Sequence, residues 1–443
     1  MKLIRNVVFF GAVASAAVIY GQTQFMGMGD SIGEGVQSGN SFRLSQQSNY
    51  LNLIAKQMNA PFTLPLLSTS LTAFIEDING RQRFNPTALP NDLAVSGATV
   101  GDLLNATASA VPATETDLVL APYYGMSQMQ IVEQVKPQFV VAWVGTDNLI
   151  GQVLQWSSLN NTTFTPLPQF TSDYQSFLSR LQATGAKAVL GTIPDLTKIA
   201  FLFNNDDLLA FTGTNYQLPD GYMTTLPTMF LLKLGVFKAS ILQNPAYVLS
   251  PAQITALSAQ INVYNGVIKS TAAQYGFPVA DAHALLNSVI ANPITIGGVT
   301  ILNHYGQGGF SLDGVHPSNS GHALFANLFI QTANQAYGMN IPPISAATFV
   351  SIFHNDPFID FGGQRIVHGR PFTGLLDTIG PLVGLSGGPT YNAPGAPARV
   401  PANPVTADAF MRHFYQAKGK DPNTPFTKAD VIHAVEEMFG VAR

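Results

Sequence analysis

Helices and short apolar runs alternate along this chain, and that alternation restricts its fold more than any other feature. "MSQMQIVEQV" (126–135) has helical spacing, Pro137 breaks it, and "FVVAWVG" (139–145) follows as a continuous apolar run. The unit recurs. "DYQSFLSRLQATGA" ends in a glycine stop ahead of "KAVLGTI" (187–193), and "PAQITALSAQINVYNGVIKSTAAQYG" (251–276) precedes "FPVADAH" (277–283). Apolar runs this short, bounded by breakers, suit strands covered on both faces of a parallel sheet. Thr23 to Met28 reads as the first strand, and 45–58 has helical spacing at Tyr50, Leu51, Ile54 and Met58. The expectation is an α/β fold with a mainly parallel central sheet and helices on both faces.

The rest of the chain divides around that unit. Lys2 and Arg5 precede an apolar stretch from Asn6 to Tyr20, the pattern of a secretory signal peptide over residues 1–21. The main domain is expected over 22–338. Within it, residues 199–250 are an apolar insertion, read either as a peripheral helical pair packing on the core or as a lid or acyl-binding wall beside the site. An extension follows over 339–388, then a Pro-rich linker at 389–404 and a short helical tail at 405–443, with Thr406 and Thr427 as helix caps. Export implies a secreted, periplasmic or cell-surface location. With no cysteine among 443 residues, stability has to come from a packed core, and any nucleophile is a hydroxyl, a carboxylate or an amine. A net charge of −4 without a basic block leaves no footprint for nucleic acid. In the tail, Asp421 and Asn423 suggest a calcium loop, but Pro425 and Ile432 occupy positions where ligands are needed.

Chemistry-bearing residues gather at four strand ends or loops. "GMGDSIGEG" (27–35) puts Ser31 among glycines just past the first strand, where parallel sheets bind ligands; its plainer role is a helix cap. "AVSGATVGDLL" (94–104) offers Gly97, suited to an unobstructed N–H or to an ordinary turn. "VVAWVGTDNLIG" (140–151) ends a buried strand in a polar turn that could supply a side-chain amide to an oxyanion or simply stabilise itself. "SLDGVHPSNSGHALF" (311–325) sets Asp313 three residues before His316, a spacing that lets a carboxylate fold onto one imidazole nitrogen. His322, inside the helix that follows, reads as structural.

In their order, "GDSI" (29–32), Gly97, "GTDN" (145–148) and "DGVHP" (313–317) resemble the four blocks of the SGNH, or GDSL-type, esterases and lipases. The resemblance spans about residues 23–338 and implies a three-layer α/β/α sandwich of flavodoxin type. It also implies Ser31 as nucleophile, His316 as general base and then acid, and Asp313 as the orienting carboxylate. The oxyanion hole would comprise the N–H groups of Ser31 and Gly97 and an amide from the third block. No metal or organic cofactor is required. The implied activity is a secreted serine esterase or lipase acting on a small or lipid-like ester through an acyl-enzyme. A binding protein that keeps the fold, or an acyltransferase with the same three residues, are the alternatives. Membrane association and oligomeric state stay open.

One block departs from the family pattern. Asp147 stands where the family has asparagine, and Asn148 follows it. A carboxylate there would repel the forming oxyanion, so the expectation is that Asn148 turns into the site, with Asp147 as the alternative.

Overall fold

A computed structural model describes residues 24–68, 81–155, 164–301, 304–305, 308–356 and 406–439. The expected signal peptide, cleavage point and Pro-rich linker lie outside these residues.

Four parallel strands form the central sheet: β1 (Phe25–Gly29), β2 (Phe139–Trp143), β3 (Lys187–Gly191) and β4 (Val279–Ala280), adjacent in that order. Side chains alternate along a strand, so each strand feeds two separate cores. Met26, Met28, Val140, Ala142, Ala188 and Leu190 enter one apolar cluster with the helices Gln128–Val135, Leu167–Ala183 and Pro251–Tyr275. Phe25, Phe139, Val141, Trp143 and Val189 enter the other, with Tyr50–Met58, Asn319–Tyr337 and Ala346–His354. Helices thus cover both faces, giving the three-layer α/β architecture. Residues 91–95 run along the outer edge of β1, where Leu93 N–H donates to Gly27 O and Val95 N–H to Gly29 O.

Local departures from the expected elements have local causes. The expected 45–58 helix is two helices, Arg43–Ser48 and Tyr50–Met58, divided at Asn49. Asn49 has extended backbone and caps the second helix by accepting from Asn52 N–H at 2.8 Å. The 277–283 run keeps only two paired residues, because Asp281 caps the next helix instead of continuing the strand.

The 199–250 insertion holds a three-stranded antiparallel sheet (Leu202–Phe203, Met223–Thr225, Val248–Leu249) and two helices, Asn205–Thr212 and Leu226–Lys233. In the tail, Ala407–Ala417 and Lys428–Phe439 are helical, with Thr406 and Thr427 hydroxyls accepting from Ala409 and Asp430 N–H. No helix among the described residues is long and apolar enough to cross a membrane.

Candidate active site

The exit of β1 is fixed by backbone contacts. Gly29 packs so tightly on β2 that an added Cβ would lie 2.2 Å from Trp143 O. The Gln128 amide accepts from Gly29 N–H (3.0 Å) and donates to Gly29 O (2.9 Å). Asp30 then caps the single turn Ser31–Glu34, accepting from Ile32 N–H at 3.1 Å. Ser31 is delivered, partly exposed, at the C-terminal edge of the sheet.

The loop 311–318 meets it from the far end of the domain. His316 Nε2 lies 2.9 Å from Ser31 Oγ, and His316 Nδ1 lies 2.8 Å from Asp313 Oδ2. With Asp313 ionised, Nδ1 carries the proton and Nε2 is left to accept from the serine. Asp313 also accepts from Val315 N–H and His316 N–H (each 2.8 Å) and from Gly39 N–H (2.7 Å). Burial works against its charge, but His316 and the N–H groups of His316 and Val315 outweigh burial and hold the carboxyl below its ordinary range. Ser38 N–H donating to Ser311 Oγ (3.0 Å) and Gln37 Nε2 donating to Asn319 Oδ1 (2.9 Å) add further ties between the two loops. The structure therefore brings Ser31, His316 and Asp313 together as a continuous hydrogen-bonded relay.

The cleft above this relay, its open mouth included, spans about 830 Å³ and is lined by Ser31, His316, Gly97, Thr146 and Asp147, with Leu196, Phe201 and Phe439 among its apolar walls. Gly97 has φ of +75° with open space where a Cβ would stand, so the glycine serves backbone conformation. Its turn is tied to the first block because Ser96 N–H donates to Glu34 Oε2 at 2.6 Å. Glu34 also accepts from Ser41 Oγ, and Arg81 joins Ser41 to Glu115 at 2.6–3.0 Å.

The expectation for Asn148 is not met. Its side chain is buried away from the cleft, with Oδ1 accepting from Val100 N–H at 3.2 Å and Nδ2 donating to Thr165 Oγ1 at 2.8 Å. Both ends of the amide are committed to holding the helix Val100–Asn105 and residue 165. Asp147 lines the cleft instead.

His322 is buried, and its Nδ1 accepts from Tyr50 N–H at 3.3 Å. Burial first, and the neighbouring His316 second, push its pKa down to about 3, so it is neutral. Two acids beneath the nucleophile behave unlike Asp313: burial raises Asp30 to about 7 and Asp92 to about 8. Sequence reasoning missed the Gly39 donor, because a backbone N–H leaves no mark in residue type. It also missed Phe439, which a Pro-rich stretch separates from the main domain.

A second, strongly apolar cavity of about 570 Å³ adjoins the cleft. Leu286, Val289, Phe310, Leu324 and Phe325 line its depth, and Ile32, Pro194, Ile199 and Val315 border both spaces.

A strand-end serine bonded to an imidazole above a parallel sheet is an arrangement suited to ester hydrolysis. The pattern of the GDSL-like lipase/acylhydrolase family matches residues 25–329, and the chain belongs to that family; it is a carboxylic ester hydrolase. Among solved structures, the chain is similar to LAE5, an alpha/beta hydrolase enzyme from the metagenome of Lake Arreo, Spain. The match has 15% identity and a TM-score of 0.36, covering 71% of this chain and 97% of that one. It is also similar to Axe2, an acetylxylan esterase from Geobacillus stearothermophilus, at 15% identity and TM-score 0.35, covering 71% and 95%. TesA matches at 14% identity and TM-score 0.32, covering 71% and 99%. No curated protein matches the chain.

Proposed function

We propose that the protein is a secreted serine esterase whose Ser31, His316 and Asp313 act together through an acyl-enzyme. The observation that carries this reading is the relay itself, with serine, imidazole and carboxylate joined at 2.9 and 2.8 Å on the floor of the cleft.

In this mechanism His316 Nε2 takes the Ser31 proton as Oγ attacks the ester carbonyl. The imidazolium that forms is stabilised by Asp313, whose three backbone donors fix the carboxylate in place. His316 then protonates the departing alcohol. Water, activated by the same nitrogen, releases the acid and restores Ser31. The N–H groups of Ser31 and Gly97 are the donors proposed for the tetrahedral oxyanion, with no contribution from Asn148. Export is supported by the basic-then-apolar pattern of residues 1–21.

The apolar cavity beside Ile32 and Val315 supports an aliphatic acyl group as the acid part of the substrate. These two residues line both the cleft that holds Ser31 and His316 and the apolar cavity, so an acyl chain on Ser31 would enter that space beside them.

A fluorophosphonate probe tests the reading. The expected result is stoichiometric labelling of the wild type, none of Ser31→Ala, and hydrolysis of short chromogenic esters lost with it. A folded wild type that takes up no probe and cleaves no ester would mark a binding protein built on the same fold.

A further inference from the structure

The family pattern ends at residue 329, yet a residue more than a hundred positions later borders the cleft. Phe439 closes the helix Lys428–Phe439, is 4% exposed, and shares the cleft with Ser31 and His316. Its placement is built from several contacts. Phe439 and Phe410 meet the Phe230 ring edge-on, at centroid distances of 5.9 and 5.3 Å. Lys428 Nζ lies 5.4 Å from the Phe237 ring centre, and Lys418 pairs with Glu437 across the two tail helices. Val431, Val435 and Met438 bury the inner face.

Phe230 belongs to the 199–250 insertion, on the helix Leu226–Lys233. That helix is joined to the cleft wall, since Leu226 N–H donates to Phe201 O at 2.8 Å and Phe201 also lines the cleft. Phe201 lies so close under the His316 loop that a Cβ on Gly314 would come within 2.8 Å of Phe201 N. Insertion and tail therefore form one apolar body beside the relay.

The apolar cavity proposed for the acyl chain does not include Phe439, Phe201 or Leu196 among its walls. A second apolar wall, formed by these residues with Ile150 and Leu154, remains for the other half of the ester. We propose that the C-terminal helices are part of the substrate site and that Phe439 is a specificity-determining residue contacting the alcohol group of an ester apolar on both sides of the carbonyl. This inference rests on the serine esterase reading.

The order of chemical steps supplies a sharp test. The alcohol leaves when the acyl-enzyme forms, so a residue that touches only the alcohol affects acylation and is silent in deacylation. Full-length wild type, Phe439→Ala and Phe439→Leu are assayed on esters of one acid with methyl, butyl and octyl alcohols. Stopped-flow measurement of the shared acyl-enzyme gives the deacylation rate.

Phe439→Ala is expected to lower the octyl-to-methyl ratio of kcat/KM by about tenfold, the scale of losing apolar contact in a pocket, with deacylation unchanged. Phe439→Leu, which keeps an apolar side chain, should recover most of the ratio. An equal change for all three alcohols, an unchanged ratio, or a matching change in deacylation would overturn the proposal. If the wild type forms no acyl-enzyme, or Ser31→Ala remains active, the esterase reading fails instead.

Discussion

Asp313 and Asp92 are both buried acids close to the same site, and they are held in opposite states. Asp313 receives three backbone N–H groups and the His316 ring, and stays ionised below the usual carboxyl range. Asp92 accepts from Asn49 Nδ2 at 2.9 Å and from Ala94 N–H at 3.3 Å, and burial lifts it to about 8. Asp30, immediately before the nucleophile, is likewise lifted to about 7 by burial, with the Ile32 N–H and the Thr146 hydroxyl pulling only weakly the other way. The degree of burial does not separate these carboxyls. The number and charge of the donors aimed at each one does. Around the relay, backbone amides are arranged to preserve charge; under the strand exit, burial favours the protonated carboxyl instead.

The most severe way to break this contrast is Asp313→Asn. An amide there presents the wrong partner to His316 Nδ1, and kcat on a short ester should fall by about 10³- to 10⁴-fold; the thermal midpoint should fall as well, because the amide nitrogen cannot accept from Gly39 N–H. Near-normal turnover would mean that the carboxylate charge is not what the surrounding N–H groups preserve.

Next in size is a comparison within the third block. Asp147 lines the cleft, whereas Asn148 is bonded at both ends to the scaffold. Asp147→Asn puts a potential amide donor on the cleft lining and should raise kcat by roughly tenfold, a fraction of what one well-placed donor supplies. Asn148→Ala should instead lower stability by about 1–3 kcal/mol through the unsatisfied Val100 N–H, seen in urea unfolding. A larger kcat loss in Asn148→Ala with unchanged stability would reverse the assignment.

The last comparison concerns pH. Asp92 has a folded pKa raised from 3.8 to about 8, so the folded chain retains a proton that the unfolded chain releases. Its contribution therefore declines as pH climbs from about 4 to about 8 and is level above that window. Asp92→Asn keeps an oxygen for Asn49 and cannot ionise. Its thermal midpoint should gain on the wild type steadily across the window and then run parallel. Curves parallel throughout would show that Asp92 is ionised in the folded protein.

The same contrast explains what could be read from the sequence. The alternating sheet and helices were legible because β2 and β3 are short apolar runs between breakers, and burial on both faces demands such runs. Ser31, Asp313 and His316 were legible as residue types at strand ends and loops with distinctive neighbours. Asn148 was misleading because adjacent side chains in a turn point different ways, and only the packed Val100 and Thr165 decide which one faces the cleft. The states of Asp30 and Asp92 were hidden for a similar reason. Their sequence context names the acid but not the donors that reach it, and Asn49 is brought to Asp92 from 43 residues away. Docking of the tail on Phe230 depends on tertiary complementarity that no local pattern records.

The bonds between the loop after β1 and the loop before the last long helix close spans of 273 to 285 residues. A chain emerging from the ribosome can complete its first three parallel strands while the imidazole has not yet been synthesised. Hydrolytic competence is accordingly a late acquisition, one that arrives with the final third of the polypeptide. An agent that loosens only that last portion should silence the enzyme while its oldest architecture still stands.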